Sequence, residues 1–184
     1  MKRVFIIHGW DGYPEEGWFP WLKSQLEKEY DVIIPSMPDT ENPKIVPWVR
    51  KLEKTVGEIR KDDILIGHSI GCQAILRFLE KTDNHLKVDK VILVAPWLRL
   101  TNLEDEESWK IAKPWLEAPI NLSKVKIKAK SFTTVFSDND PFVPLNNKND
   151  FKTKLGAKIV IERNKGHFNG DDGVTELPVI MKLV

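Results

Sequence analysis

Apolar residues in this chain follow two alternating rhythms. Short runs rich in β-branched and other apolar side chains occupy residues 4–7, 32–34, 64–66, 88–95, 132–136 and 158–161. Glycine, proline or polar residues bound them, as expected for strands. Between the runs lie longer stretches with apolar residues three and four apart, the spacing of an amphipathic helix. Trp18, Trp21, Leu22 and Leu26 set this spacing over 18–28, and Ile45, Trp48, Val49, Leu52 and Val56 set it over 45–59. Ile75, Leu76 and Leu79 mark a third helix. A further helix is predicted over 145–155, although Asn146, Asn147, Asn149 and Asp150 are poor helix formers. A short closing helix is expected over 177–183, with Pro178 in its first turn, where a missing N–H does no harm. Strands this apolar, alternating with helices, predict a parallel sheet covered on both faces.

The rhythm breaks over 97–125, a long segment that is acidic at Glu104, Asp105, Glu106 and Glu107 and carries Trp109 and Trp115. Two readings stand side by side: a small lid or pocket wall inserted between strands, or a loop sealing the core with its tryptophans. No internal repeat is visible, and 184 residues suit one domain over 1–184. A net charge of +1, with lysine and arginine scattered among acids, provides no field to recruit nucleic acid or an anionic membrane. No apolar run is long enough to cross a bilayer, and residues 4–7 are too few for a signal-peptide core. A cytoplasmic protein is expected. Cys72 is the only cysteine, which excludes an internal disulfide and a cysteine-rich metal site. It is expected to be a small buried residue.

Chemistry concentrates at Gly67-His68-Ser69-Ile70-Gly71, a G-x-S-x-G pattern between the third strand and an amphipathic helix. A serine on such a sharp turn stands clear of the sheet, and flanking glycines let strand and helix approach closely. Its hydroxyl needs a base. Of the four histidines, His68 adjoins the serine and should point elsewhere, His85 follows the polar Thr82-Asp83-Asn84 turn, and His8 is placed to shape the first loop. His167, in Asn164-Lys165-Gly166-His167-Phe168, follows the last strand, where the order serine, acid, histidine puts the base. For the acid there are two candidates after the fifth strand. Asp140 precedes Pro141, which biases it to extended backbone, and is modestly favoured. Asp138 is better suited to capping the turn. His8-Gly9-Trp10-Asp11-Gly12 fits the loop that donates an oxyanion-hole amide, from Trp10 or Gly9, with Ile70 N–H as its partner.

These residues resemble the retinoblastoma-binding-protein-nine family of small serine hydrolases, a compact branch of the α/β hydrolases. The resemblance spans nearly the whole chain: the first glycine loop, Met37-Pro38-Asp39, Gly67-His68-Ser69, Val91 to Val94, Asp140-Pro141-Phe142-Val143-Pro144 and Gly166-His167-Phe168. It implies an α/β-hydrolase fold with a six-stranded, mainly parallel sheet in the order 2-1-3-4-5-6, and it implies Asp140 as the acid. It also implies a Ser69–His167–Asp140 triad cleaving small acyl esters or amides through an acyl-enzyme, with no metal or organic cofactor. The L-x-C-x-E motif associated with retinoblastoma binding is absent, so that partner is not carried over. Trp10, Trp18 and the segment from Trp97 to Trp115 are candidates to wall an apolar acyl pocket. An interaction protein with a vestigial site and an aminopeptidase-type amide hydrolase are the rival readings. A dehalogenase-type enzyme would need aspartate where Ser69 stands.

Overall fold

The computed structural model of the chain describes residues 1–82 and 85–184. Six strands form one parallel sheet: β1 (Lys2–Ile7), β2 (Tyr30–Ile33), β3 (Ile64–His68), β4 (Val88–Val94), β5 (Ala129–Ser137) and β6 (Lys158–Glu162). Their order is β2-β1-β3-β4-β5-β6, the α/β-hydrolase arrangement that the resemblance implied. β1 pairs with both β2 and β3, so its end and that of β3 lie side by side in the middle of the sheet. The glycine loop is thereby brought next to Ser69.

The period-two alternation of each strand divides the core. Phe5, Ile7, Leu65, Val91 and Leu93 face one side, under α2 (Ile45–Val56), α3 (Ile70–Lys81) and a later helix α5 (Leu122–Lys126). Val4, Ile6, Ile64, Ile66 and Ile92 face the other, under α1 (Phe19–Leu26) and the terminal helix. Both faces of the central strands are covered, which accounts for strands that read as continuous apolar runs. Among the described residues no helix is long and apolar enough to cross a membrane.

Four elements differ from the sequence expectation. β5 begins at Ala129, because exposed Lys130 and Ser131 conceal its first residues from a hydrophobicity reading. The expected helix over 145–155 splits into α6 (Asn147–Asp150) and a π-helical turn (Phe151–Leu155). An asparagine here serves as a tether. Buried Asn147 accepts from the Leu98 and Arg99 amides and donates to the Arg99 and Pro144 carbonyls, tying this region to the chain after β4. The segment 97–125, expected either as a lid or pocket wall or as a loop sealing the core, contains α4 (Glu106–Glu117) and α5. Asp105 caps α4 by accepting from the Ser108 amide at 2.7 Å, and Glu106 and Glu107 stand in its first turn. The closing helix is α7 (Pro178–Met181), a single turn shorter than the expected span.

Candidate active site

Ser69 sits between β3 and α3 with φ 52° and ψ −121°, a backbone that L side chains rarely adopt. Close packing imposes it. A Cβ on Gly67 would lie 2.9 Å from the Cys72 backbone, and one on Gly71 would lie 2.4 Å from the Ile7 carbonyl oxygen. Both glycines are needed for α3 to start this close to β1 and β3. The turn leaves Ser69 only 7% exposed, at the N-terminus of a three-turn helix.

His167 meets the serine from the loop after β6. Its Nε2 is 2.8 Å from Ser69 Oγ, and its Nδ1 is 2.8 Å from Asp140 Oδ2. With Nδ1–H donating to the carboxylate, Nε2 presents a lone pair to the hydroxyl. Asp140 is held from behind, since its Oδ1 accepts from the Phe142 and Val143 amides at 2.9 and 3.0 Å. Asp138 does not cap its own turn as expected; it accepts from the Asn164 amide at 2.8 Å, across in the loop after β6. The geometry thus joins Ser69, His167 and Asp140 and leaves Asp138 outside.

The oxyanion-loop candidates lie on the opposite flank. Trp10 is half-buried, its indole donating to the Glu41 carbonyl, and no backbone carbonyl among the described residues accepts from its amide. Ile70 is the first residue of α3, where an amide has no acceptor within its own helix. His8 fixes this loop: its Nε2 accepts from the Met37 amide, leaving Nδ1–H for the Gly9 carbonyl. Ser69, His167, Gly9 and Trp10 open onto a cleft of about 880 Å³. Trp97, Leu100, Leu103 and Ile111 contribute to it from the 97–125 segment, and Phe142 stands edge-on to His167.

The serine hydrolase family model matches residues 4–184. The chain belongs to the serine hydrolase family. YdeN of Bacillus subtilis, a protein named as a hydrolase, is 29% identical over all of this chain and 94% of its own length. The crystal structure of YdeN superposes with a TM-score of 0.90 at 28% identity, covering 100% of this chain and 96% of that one. Serine hydrolase RBBP9 of Rattus norvegicus is 27% identical over 91% of this chain and 84% of its own. Est1E of Butyrivibrio proteoclasticus, solved with ferulic acid bound, shares the fold at TM-score 0.71 and 14% identity, covering 100% of this chain and 90% of Est1E.

Several residues that support the hydrolase's site were not singled out from sequence. Asp172 accepts from the His167 amide at 2.7 Å and the Asn169 amide at 3.2 Å. Asn139 accepts from the Gly166 amide, and Ser137 Oγ from the Lys165 amide. The Asn139 and Ser137 bonds reach backbone 27 and 28 residues away, and the Asp172 bonds close its own loop; no periodicity records either. Two expected residues play other parts. Trp18 is fully buried against Phe19 and His68 and does not line the cleft. Its lack of exposure follows from the helical face that puts it under the sheet. Trp115 is likewise core, donating to the Pro43 carbonyl. His85 is exposed, while Asp83 and Asn84 before it lie outside the described residues. Cys72 is fully buried, as expected. Among the described residues no group of three or more histidine, cysteine, aspartate or glutamate side chains is arranged to hold a metal ion.

His68 turns away from the serine, as expected, and its Nε2–H donates to the His167 carbonyl at 2.7 Å. Burial first, then the neighbouring His167, lowers its pKa from 6.5 to about 3. The folded ring therefore stays neutral where the unfolded one protonates. Stability should be full above about pH 6.5 and fall by ~1 kcal/mol per pH unit from there toward pH 3. His8, also lowered by burial, acts in the same direction. Urea denaturation at stepped pH should show a shallower slope for His68→Gln, which retains an N–H donor; an identical slope would refute the assignment.

Proposed function

We propose that this serine hydrolase cleaves small carboxylic esters or amides through an acyl-enzyme, with Ser69 as nucleophile, His167 as base and Asp140 as its orienting acid. One observation carries the reading: a continuous path of two 2.8 Å hydrogen bonds from Ser69 Oγ through the imidazole to a carboxylate anchored by two amides. This is the arrangement that makes a weak nucleophile reactive.

As Ser69 Oγ bonds to the acyl carbon, its proton passes to His167 Nε2. The Asp140 carboxylate stabilises the imidazolium. The amides of Trp10 and Ile70 receive the oxyanion, helped by the N-terminal end of the α3 dipole. Collapse expels the alcohol or amine, which takes the proton from Nε2. His167 then removes a proton from water, whose oxygen attacks the acyl carbon, and the carboxylic acid departs as Ser69 regains its hydrogen. No step calls for a metal or organic cofactor.

Rapid quenching during turnover of p-nitrophenyl butyrate tests the covalent step. A burst of p-nitrophenol should accompany a butyryl group on the peptide containing Ser69. Turnover with the butyryl group on another residue, or a burst with no acylated peptide, would overturn the mechanism.

A further inference from the structure

The cleft before Ser69 has a charge that the chain as a whole lacks. Overall, 28 Lys and Arg balance 27 Asp and Glu. Yet among the described residues no lysine or arginine lines the cleft, and every acidic or basic side chain there besides His68 and His167 is a carboxylate. Asp11, Glu15 and Glu16 stand on the side of the first loop, with Glu41 from the loop after β2. Glu104, Asp105 and Glu107 come from the approach to α4 and its first turn, and Asp171 from the loop after His167. Of these cleft carboxylates, only Glu107 has a cation within ion-pair distance among the described residues, Lys110 at 3.4 Å, and Lys110 does not line the cleft. The carboxylates act on one another. Burial, then the charge of Glu41, raises the Asp11 pKa; burial, with Asp171 adding to it, raises that of Glu16 against the pull of the Gly170 amide.

A second feature is independent of these acids. The His68 ring, 2% exposed, forms part of the cleft wall. Its Nε2 faces a carbonyl, which only accepts, so Nε2 carries the hydrogen and Nδ1 is a lone pair. Nδ1 is buried without a partner. A Cβ on Gly9 would lie 3.1 Å from it and 3.4 Å from Ser69 Cβ, so this acceptor and the Cβ of Ser69 border the same space at Gly9. Trp10, Trp97 and Phe142 add aromatic rings, whose faces attract cations. A wall of carboxylates, aromatic rings and an unused acceptor is complementary to a positively charged hydrogen-bond donor.

We propose that the substrate carries an ammonium group, on its acyl chain or its leaving group, and that this acidic cleft selects it. The inference rests on the hydrolase reading above and specifies its substrate class.

Matched esters test it. On the acyl side, the p-nitrophenyl esters of 6-aminohexanoate, heptanoate and adipate present ammonium, methyl and carboxylate at the same place. On the leaving-group side, 6-aminohexyl and heptyl butyrate form the equivalent pair. With the Ser69→Ala rate subtracted, kcat/KM should favour the ammonium over the methyl ester by about tenfold or more at low ionic strength, with the carboxylate ester last. The preference should shrink in 1 M salt, where screening acts within about 3 Å. Whichever arm shows the larger ratio locates the ammonium on the acyl or the alcohol portion. A triple variant, Glu15→Gln, Glu104→Gln and Glu107→Gln, should bring the ratio toward one; the salt series uses the unaltered protein and does not depend on that variant folding. Equal or better turnover of the methyl ester on both arms would overturn the proposal and leave the hydrolase reading standing. No turnover of any ester, together with no fluorophosphonate labelling of Ser69, would overturn both.

Discussion

Ser69→Ala is expected to lower kcat by about 10⁶-fold and to erase labelling by a fluorophosphonate probe. The substitution removes one oxygen and keeps the Cβ, so the packing of the elbow between Gly67 and Gly71 persists. The unusual φ of 52° persists with it, since it is set by α3 starting against the Ile7 carbonyl and not by the hydroxyl. The lost bond to His167 is a single hydrogen bond, with a net contribution on the order of 1 kcal/mol. Activity and folding should therefore separate: no labelling, and an unfolding midpoint close to that of the unaltered protein. The other side chain near this turn with nucleophilic chemistry, Cys72, does not offer an escape. Its thiol is fully buried, donates to the Val94 carbonyl at 3.3 Å, and has its pKa raised well above the usual value by burial. Labelling that survives in Ser69→Ala would place the nucleophile elsewhere and overturn the mechanism.

What the sequence reveals depends on whether a residue acts locally or at a distance. The central strands were legible because both of their faces are covered, leaving Val4–Ile7 of β1 and Ile64–Ile66 of β3 as unbroken apolar runs. The elbow was legible because Gly67, Ser69 and Gly71 act within five residues of one another. β5 was legible only from Phe132 onward, since a strand end that reaches water at Lys130 and Ser131 carries no apolar signal. α4 was hidden differently. Its capping Asp105 and first-turn acids are present in the sequence but mark acidity before they mark a helix start, and Pro114 within the helix weakens the pattern further. Strand order came from the resemblance, because no residue in a parallel strand names its neighbour. Asn139 illustrates the limit: it accepts from the Gly166 amide in the loop bearing His167, 27 residues away, and nothing near it in sequence marks that role.

Asp140→Asn should lower kcat by about 10⁴-fold, whereas Asp138→Asn should leave it nearly unchanged. The anchoring of Asp140 makes the difference sharp. Its Oδ1 accepts from two backbone amides, Phe142 and Val143, which cannot reverse their role as donors. An asparagine at 140 must keep its carbonyl oxygen on those amides, which turns its NH₂ toward His167 Nδ1. Two donors cannot share that contact, so the imidazole shifts its hydrogen to Nε2. Nε2 then faces Ser69 Oγ as a donor and cannot take the hydroxyl proton. The catalytic loss thus follows from the wrong tautomer, with the side-chain volume almost unchanged. At 138 the requirement is an oxygen that accepts from the Asn164 amide, which asparagine supplies as readily as aspartate. Steady-state kinetics on the two variants separate the acids: a nearly silent Asp140→Asn beside a crippled Asp138→Asn would transfer the orienting role to Asp138 and would require the loop after β5 to rearrange before His167 can act as a base.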